Sequence, residues 1–324
     1  MEKEKFLKGV KIMHVYQDSW DYKGVSIIDC TTCGFKHIYP IPTEKSIKAY
    51  YQKYYEEIKP FNYSVVNQKY IEKKTQEIIN TKEYASIFKK VTELNQTGSQ
   101  RMLDVGAGNN LLNKYFQIKG WKVWVVEPNQ AANDYLEAFG LNLFNNTIEE
   151  LDFSLIGDLS LINIQFVLEH LRDPISFLEK SYQALVPGGI IRICVPNDFS
   201  AGQMAYKEYG SKEADWIVVP DHINYFDFNS LSALLAQIGF LEVYRRTNFP
   251  LEFLLLGGID YYTSPEEQKK VAPFVNNFEK SFKETNKVEE LESLYYYLAK
   301  AGFGRSIFIY GQKPLANFVL KRKE

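Results

Sequence analysis

Short apolar runs alternate with amphipathic segments over residues 100–250. The runs RMLDVGAG, WKVWVVEP, LNLFNN, LSLINIQ, IIRICVPN and LEVYRRTNF predict strands, and most segments between them carry apolar residues three and four positions apart, as helices do. GRSIFIYGQKP predicts a closing strand. Strands that alternate with helices form βαβ units and parallel sheets. The pattern therefore predicts an α/β fold with a doubly wound, mostly parallel sheet of seven strands.

The two flanks of this alternation have a different pattern. VKIMHVY and GVSIIDC predict short strands, residues 42 to about 95 predict helices, and a helical stretch after residue 250 precedes the closing strand. We therefore divide the chain into residues 1–74, an amino-terminal β-hairpin and helical lid segment, and residues 75–324, the main domain with a helical insertion at 250–304. The tyrosines of the first predicted helix either cover the ligand or form the apolar face of the helix that packs into the core, and we favour the core. They are Tyr50, Tyr51, Tyr54 and Tyr55.

Composition and charge exclude several classes of protein. The 38 Lys and Arg residues against 40 Asp and Glu leave a net charge of -2, which argues against nucleic-acid or membrane-surface partners. Three cysteines are too few for a disulfide framework, which favours a reducing compartment. No apolar stretch is long enough to span a membrane, and the amino terminus lacks a secretion signal. We therefore expect a cytoplasmic protein, and the sequence leaves its oligomeric state open.

A glycine turn follows the first strand of the predicted sheet. Gly106 and Gly108 allow the backbone to turn tightly and to approach a ligand. A dinucleotide fingerprint needs a third glycine at position 111, where this chain has Leu111, so NAD and FAD are disfavoured. Glu127 ends the next strand about twenty residues later, where a carboxylate can bind both hydroxyls of a ribose. The two features predict an adenosine site without a diphosphate cradle.

Five motifs resemble those of the class I S-adenosylmethionine-dependent methyltransferases. They are LDVGAGNN, VVEP, FNNTIEEL, INIQFVLEHLRDP and LVPGGIIRICVPN, and the resemblance covers about residues 75–250 and the last strand. The chain departs from the family at Asn110, where a glycine is usual, and at Ser160 to Asn163, where an acidic residue is common. The resemblance implies S-adenosyl-L-methionine as the cofactor. It would place around this cofactor Asp104, Gly106, Ala107, Gly108, Glu127, Pro128, Thr147, Ile148, Gln165, Phe166 and His170.

The loop between the fifth strand and the next helix is where we expect the acceptor. His222 has the intrinsic pKa of a general base near neutral pH. We assign it as the catalytic residue, with His170 as the other candidate base. Amides, carboxylates and aromatic rings in this stretch suit a polyhydroxylated ligand, and ordinary loop packing explains them equally. The predicted substrate-binding residues are Asn197, Asp198, Phe199, Gln203, Trp216, Asn224 and Tyr225.

Cys30 and Cys33 form one CxxC knuckle of the kind that binds zinc. Zinc takes four ligands, and the sequence has no second CxxC. His14 and His37 are the further candidates, but neither stands at a compelling spacing. The pattern favours two buried thiols on a β-hairpin over a zinc site, and we assign no metal ligand.

CTTCGFKHIYPIP followed by AYYQKYYEE is similar to the amino-terminal piece of methyltransferases of sugar and surface-glycan (polysaccharide) biosynthesis. The resemblance implies methyl transfer to a small acceptor, a sugar or sugar nucleotide, on oxygen or carbon. DHINYF has Asp221 where C-methyltransferases of that group have Glu, which leaves the methylated atom open. The alternatives are another small metabolite as the acceptor and a cofactor-binding protein without turnover.

Overall fold

The computed structural model describes residues 4–7, 10–54, 66–210 and 213–315. Its strands are β1 (Glu4–Leu7), β2 (Val10–Met13), β3 (Tyr16–Tyr22), β4 (Val25–Cys30), β5 (Phe35–Tyr39), β6 (Arg101–Val105), β7 (Lys122–Val126), β8 (Asn142–Phe144), β9 (Leu159–Gln165), β10 (Leu185–Pro196), β11 (Asn224–Tyr225), β12 (Leu241–Arg246) and β13 (Ser306–Gln312). Its helices are α1 (Glu44–Lys53), α2 (Gln68–Asn80), α3 (Lys82–Leu94), α4 (Leu112–Ile118), α5 (Gln130–Ala138), α6 (Pro174–Ala184), α7 (Ala201–Gly210), α8 (Phe228–Ile238), α9 (Glu252–Leu256), α10 (Pro265–Glu284) and α11 (Val288–Lys300).

The central sheet has the strand order β12-β13-β10-β9-β6-β7-β8. β13 is antiparallel to both of its neighbours, and the other adjacent pairs are parallel. Leu103 and Ile162 are buried on one face of the sheet, and their chain neighbours Met102 and Leu161 are buried on the other. Burial on both faces is typical of parallel strands covered by helices. The predicted seven-stranded α/β fold is confirmed, and its parallel strands direct their carboxyl ends to one edge.

Two element boundaries differ from the sequence prediction. The helical stretch over residues 68–94 is two helices, because Thr81 between α2 and α3 has an extended backbone. The segment ISFLEKSYQALVPGG predicts a helix that ends at its Pro-Gly-Gly sequence, but α6 stops at Ala184 and β10 begins at the next residue. The pairing of β10 with β9 shifts register between Leu185 and Ile190, so the Pro-Gly-Gly sequence lies in an irregular part of the strand.

The predicted amino-terminal strands belong to an antiparallel sheet of order β11-β5-β4-β3, and β1 and β2 pair with each other. β11 lies in the segment between β10 and α8, which we call the acceptor loop because the acceptor is expected there. In β11, Asn224 pairs with His37 and Tyr225 pairs with Lys36. A β11 strand was not predicted, because two residues carry no detectable periodicity. The pairing joins the amino-terminal segment directly to the loop that contains His222.

Helix α1 lies beside the acceptor loop and contains no buried residue. The predicted core role of its tyrosines is therefore wrong for Tyr50, Tyr51 and Tyr54, which are half-buried; Tyr55 lies outside the described residues. The Tyr51 hydroxyl donates a hydrogen bond to the Asp221 carboxylate at 3.2 Å. This hydrogen bond joins α1 to the residue before His222, and the role of the helix as a lid stays a prediction.

The insertion forms α9, α10 and α11 before the closing strand. Its helices share an apolar cluster that includes Phe249, Leu254, Leu291 and Tyr295. Arg246 at the end of β12 pairs with Glu292 of α11 at 3.2 Å, so the insertion packs on the β12 side of the sheet. None of the described helices has the length and apolar character needed to cross a membrane.

Candidate functional site

The glycine loop connects β6 to α4. Gly106 has a φ of +64° and Gly108 a φ of +53°, both in the left-handed region that glycine adopts without steric cost. A Cβ at position 106 would lie 2.5 Å from Cγ2 of Val167, in the turn after β9. A Cβ at position 108 would meet no atom of the described residues within 4 Å. Gly106 is therefore packed against the β9 turn, whereas Gly108 faces open space.

Glu127 lies at the carboxyl end of β7 and is buried. One carboxylate oxygen accepts the Gly108 N–H, and the other accepts the Asn129 N–H, each at 2.8 Å. Burial raises the pKa of Glu127, and these two hydrogen bonds oppose the rise. A carboxylate oxygen has two acceptor positions. Glu127 therefore orders the loop and keeps acceptor capacity for the hydroxyls of a ribose.

Asp104 lies in a buried polar network beneath the loop. Its carboxylate accepts hydrogen bonds from the amides of Asn113 (2.9 Å) and Asn163 (2.6 Å). Arg192 donates to the side-chain oxygens of Asn163 (2.7 Å) and Gln165 (3.1 Å). Burial raises the pKa of Asp104 to about 6 against these hydrogen bonds and the nearby Arg192 charge. Arg192 was not predicted as a site residue; its only signal in the sequence is a charged residue inside an apolar strand.

The other predicted cofactor residues lie at the same edge of the sheet. Ala107 and Ile148 are buried, Thr147 is half-buried and Pro128 is exposed. Phe166 follows β9 with a φ of +55°, and 45% of it is exposed. Phe166 precedes Val167, the residue that packs against Gly106, and its exposed side chain offers an apolar surface to a ligand. The fold thus brings together residues that follow β6, β7, β8 and β9, and their contacts with a cofactor stay a prediction.

Two histidines meet near this edge, where the rings of His170 and His222 are 5.0 Å apart at 76°. His170 Nδ1 donates to the Asp221 backbone carbonyl at 2.9 Å and lies 3.4 Å from the Asp221 carboxylate. His170 Nε2 lies 3.8 Å from a carboxylate oxygen of Glu169. Nδ1 of His222 makes no hydrogen bond within the described part of the chain. His170 is therefore held between two carboxylates, and His222 lies next to it.

The two histidines have different charge states near neutral pH. Burial lowers the pKa of His170, but the hydrogen bond to Asp221 and the charges of Asp221 and Glu169 outweigh it and raise the pKa to about 9. Burial and the charge of His170 lower the pKa of His222 to about 3, well below the near-neutral pKa on which the sequence argument for this base relied. Burial raises the pKa of Glu169 to about 7; this carboxyl was not predicted as a site residue. His170 is thus a cation, and His222 is neutral with a nitrogen lone pair.

Hydrogen bonds to backbone carbonyls attach the acceptor loop to the turn after β9. The Ile223 N–H donates to the Glu169 carbonyl at 2.8 Å. The buried Asn224 amide donates to the carbonyls of Leu168 (3.1 Å) and Leu171 (2.7 Å). These bonds position the loop relative to His170. Both amide hydrogens of Asn224 are used in this way, and its contact with an acceptor stays a prediction.

The predicted aromatic substrate residues are buried against the amino-terminal sheet. The Phe199 ring lies 4.8 Å from Trp20, 5.7 Å from Trp216 and 5.8 Å from Tyr225, measured between centroids. Phe199, Trp216 and Tyr225 belong to one apolar cluster with residues of β4 and β5. Loop packing, one of the two interpretations of the sequence, accounts for these contacts. Contact of the three rings with an acceptor is untested.

The polar substrate residues surround one ion pair. The Asp198 carboxylate lies 3.3 Å from the Arg305 guanidinium and is also hydrogen-bonded by Gln203. Burial raises the pKa of Asp198 to about 6, and Arg305 opposes the rise. The Asn197 amide donates to the carbonyls of residues 302 and 304, so it holds the chain that leads to β13. Arg305 was not predicted; a cation at the start of the closing strand was its only signal.

A model of the methyltransferase domain family matches residues 74–243, more than half of the 324 residues. No curated protein sequence matches the chain.

Solved structures of methyltransferases are similar to this one. A SAM-dependent methyltransferase from Archaeoglobus fulgidus is 21% identical over 71% of this chain and 92% of that chain, with a TM-score of 0.46. A putative methyltransferase from Bacillus halodurans C-125 is 18% identical over 71% and 99%, with a TM-score of 0.44. The Burkholderia thailandensis 1,6-didemethyltoxoflavin-N1-methyltransferase is 12% identical over 92% and 100%, with a TM-score of 0.46. These likenesses carry no argument about the acceptor.

Proposed function

This chain belongs to the methyltransferase domain family and uses S-adenosylmethionine as its methyl donor, and on that premise we propose that it methylates a sugar or sugar nucleotide on oxygen or carbon. His222 is the general base in this proposal. The observation that carries this assignment is a half-buried histidine ring that lies 5.0 Å from the ring of His170 and whose Nδ1 has no hydrogen-bond partner among the described residues, on a loop attached to the turn that packs against Gly106.

The loop after β6 fits the methyl donor. Gly108 has open space where a side chain would begin, so it would admit the methionine part of the cofactor. Glu127 would bind the ribose hydroxyls, and Ile148 would flank the adenine. The bound cofactor supplies a methyl group on a sulfonium, which is already a strong methyl donor. The chain must therefore position the acceptor and remove a proton from it.

Proton removal favours His222 over His170 as the base. A general base must be unprotonated when the acceptor arrives. The pKa of His170 is raised to about 9 and that of His222 is lowered to about 3, so at neutral pH His222 is the ring with a lone pair, and its lowered pKa makes it a weaker base than a free histidine. His170 serves instead as a positioning residue, because its Nδ1 holds the backbone of Asp221, the residue that precedes His222.

The surroundings of Asp198 support a polyhydroxylated acceptor. Asp198 and Gln203 offer a carboxylate and an amide for hydroxyl groups. Arg305 interacts electrostatically with Asp198, Tyr261 and Tyr262, and its guanidinium is of the kind that binds the phosphates of a sugar nucleotide. The Tyr261 and Tyr262 rings lie 4.7 Å apart and offer apolar faces for a sugar ring.

An acceptor screen tests the substrate class. The purified full chain is incubated with S-adenosylmethionine labelled in its methyl group, together with free sugars, nucleoside-diphosphate sugars and non-sugar metabolites. We expect label in a sugar or sugar nucleotide, and NMR of the product identifies the methylated atom. Label in non-sugar metabolites alone would replace this proposal with the alternative small-metabolite methyltransferase. Binding of the demethylated cofactor without transfer to any acceptor would favour a protein without turnover.

Matched substitutions test the base. We expect His222→Gln to lower kcat by about 100-fold or more while the affinity for the demethylated cofactor changes by less than about threefold. His170→Gln is the comparison, because it makes the same change in the neighbouring ring. Turnover that survives His222→Gln but is abolished by His170→Gln would assign the base to His170.

A further inference from the structure

We propose that His14, Cys30, Cys33 and His37 bind one structural zinc ion. One sulfur or ring nitrogen from each residue lies within 4.8 Å of the corresponding atoms of the other three. Spacing along the chain did not predict this group, because β3 separates His14 from the two cysteines. His14 reaches Cys30 only when β3 pairs with β4.

The distances suit a tetrahedral site. Nδ1 of His14 lies 3.3 Å from the Cys30 sulfur and 3.5 Å from the Cys33 sulfur. Zinc bonds of about 2.3 Å to sulfur and about 2.0 Å to nitrogen place tetrahedral ligand atoms roughly 3.3–3.8 Å apart. The two measured separations fall within this range, so an ion fits with small side-chain adjustments.

His37 has the hydrogen bond expected of a metal ligand. Its Nδ1 donates to the Ile38 carbonyl at 2.9 Å, which leaves the lone pair on Nε2. That Nε2 is buried and has no hydrogen-bond partner among the described residues. Histidines that bind metals commonly donate their second ring N–H to a carbonyl, which fixes the tautomer and the ring orientation. His37 therefore presents an oriented, unsatisfied nitrogen to the two sulfurs and His14.

The two cysteines lie on a tight turn that brings both sulfurs to one side. The Cys33 N–H points at the Cys30 sulfur at 3.4 Å, and the Gly34 N–H donates to the Cys30 carbonyl at 2.8 Å. Gly34 has a φ of +79°, which allows the turn to close. Donation from a backbone N–H to a sulfur favours the thiolate, the form of cysteine that binds metals.

The ligand set selects the kind of ion and its role. Two thiolates and two imidazoles in a tetrahedral arrangement suit zinc, whereas calcium and magnesium take oxygen ligands. Four protein ligands leave no open coordination position, which is the arrangement of structural rather than catalytic zinc. A cavity of about 60 Å³ borders the cluster, and its lining includes Cys33, His37 and Arg172.

The position of the cluster connects the ion to the acceptor loop. His37 pairs with Asn224 across β5 and β11, and the Ile38 N–H donates to the Ile223 carbonyl at 2.8 Å. An ion that holds the β4–β5 turn would thereby maintain the strand on which the His222 loop is aligned. This consequence for turnover rests on the proposed function, whereas metal binding itself does not.

Metal analysis of the full chain tests the proposal. The protein is purified under reducing conditions from cells grown with added zinc, and its zinc content is measured by inductively coupled plasma mass spectrometry. We expect about one zinc ion per chain, and a loss of most of it in Cys30→Ser and His37→Ala. Cys194→Ser is the matched control, because Cys194 is a buried cysteine outside the cluster and its variant should keep the zinc. Equal zinc loss in all three variants would overturn the assignment of the ligands.

Cobalt(II) substitution of the wild-type chain tests the site without any variant. We expect the intense visible bands of tetrahedral cobalt together with thiolate charge-transfer absorption. Wild-type protein that contains little zinc and shows no such bands would overturn the proposal. A zinc-containing protein that methylates no sugar would leave this inference intact and would count only against the proposed function.

Discussion

Gly106 and Gly108, in the loop after β6, both have a left-handed backbone, but a side chain would meet a neighbouring residue only at Gly106. Comparing alanine substitutions at the two positions therefore separates the cost of that steric contact from the cost of the left-handed backbone. Both Gly106 and Gly108 have φ in the left-handed region, where an L-residue costs about 1–2 kcal/mol. Only at Gly106 would the added methyl group of alanine meet the protein, 2.5 Å from Val167 Cγ2. Such overpacking costs about 1–3 kcal/mol more. We therefore expect Gly108→Ala to lower the free energy of unfolding by about 1–2 kcal/mol and Gly106→Ala by about 2–5 kcal/mol.

Chemical denaturation of both variants, followed by circular dichroism, measures this difference. A double-mutant cycle identifies the responsible contact, because Val167→Ala removes the methyl group that Gly106→Ala meets. We expect Gly106→Ala to cost about 1–3 kcal/mol less in the Val167→Ala background than in the wild type. Equal stability losses for the two glycine variants, or no coupling between positions 106 and 167, would refute the steric argument.

The same pair of variants separates stability from cofactor binding. A methyl group at position 108 would project into the open space beside the loop, on the side where we expect the cofactor. We expect Gly108→Ala to weaken the binding of S-adenosylhomocysteine by about tenfold, equivalent to about 1.4 kcal/mol, measured by calorimetry at a temperature where the variant is folded. Unchanged affinity would mean that the cofactor does not approach Gly108.

Two further predictions concern ionised groups. The pKa of His170 is raised to about 9, so the stability that it contributes should be complete below about pH 6.5 and be lost as the pH rises through 9. Because about a fifth of the side chain is exposed, we expect this loss to be about 2 kcal/mol, and urea titrations from pH 6 to 10 should show it in the wild type but not in His170→Gln. Arg305→Gln removes the partner of Asp198 and should lower the free energy of unfolding by about 2 kcal/mol at pH 8, and by less at pH 5, where Asp198 is protonated. A loss of stability that does not change with pH in thermal or urea unfolding would contradict the ion-pair explanation. Adding Asp198→Asn to the same chain should recover part of the lost stability.

The sequence by itself determined the features that depend on neighbouring residues. The alternation of strands and helices was readable because each element buries its own periodic apolar face. The two glycines of the loop after β6 and the carboxylate after β7 were recognisable because a left-handed turn and a strand end are local events. The same local reasoning misplaced the end of α6, where β10 begins before the Pro-Gly-Gly sequence. The division of the chain between residues 74 and 75 stays a prediction.

Only the tertiary structure decided which distant side chains share a site. Arg305 meets Asp198 across 107 positions of the chain, and His170 bonds to Asp221 across 51. His14 and His37 join the two cysteines because β3, β4 and β5 pair in one register. Local patterns do not record such pairs, since sheet pairing and loop docking bring them together. The same docking sets the pKa values of the two central histidines, because burial and neighbouring charge exist only in the folded chain.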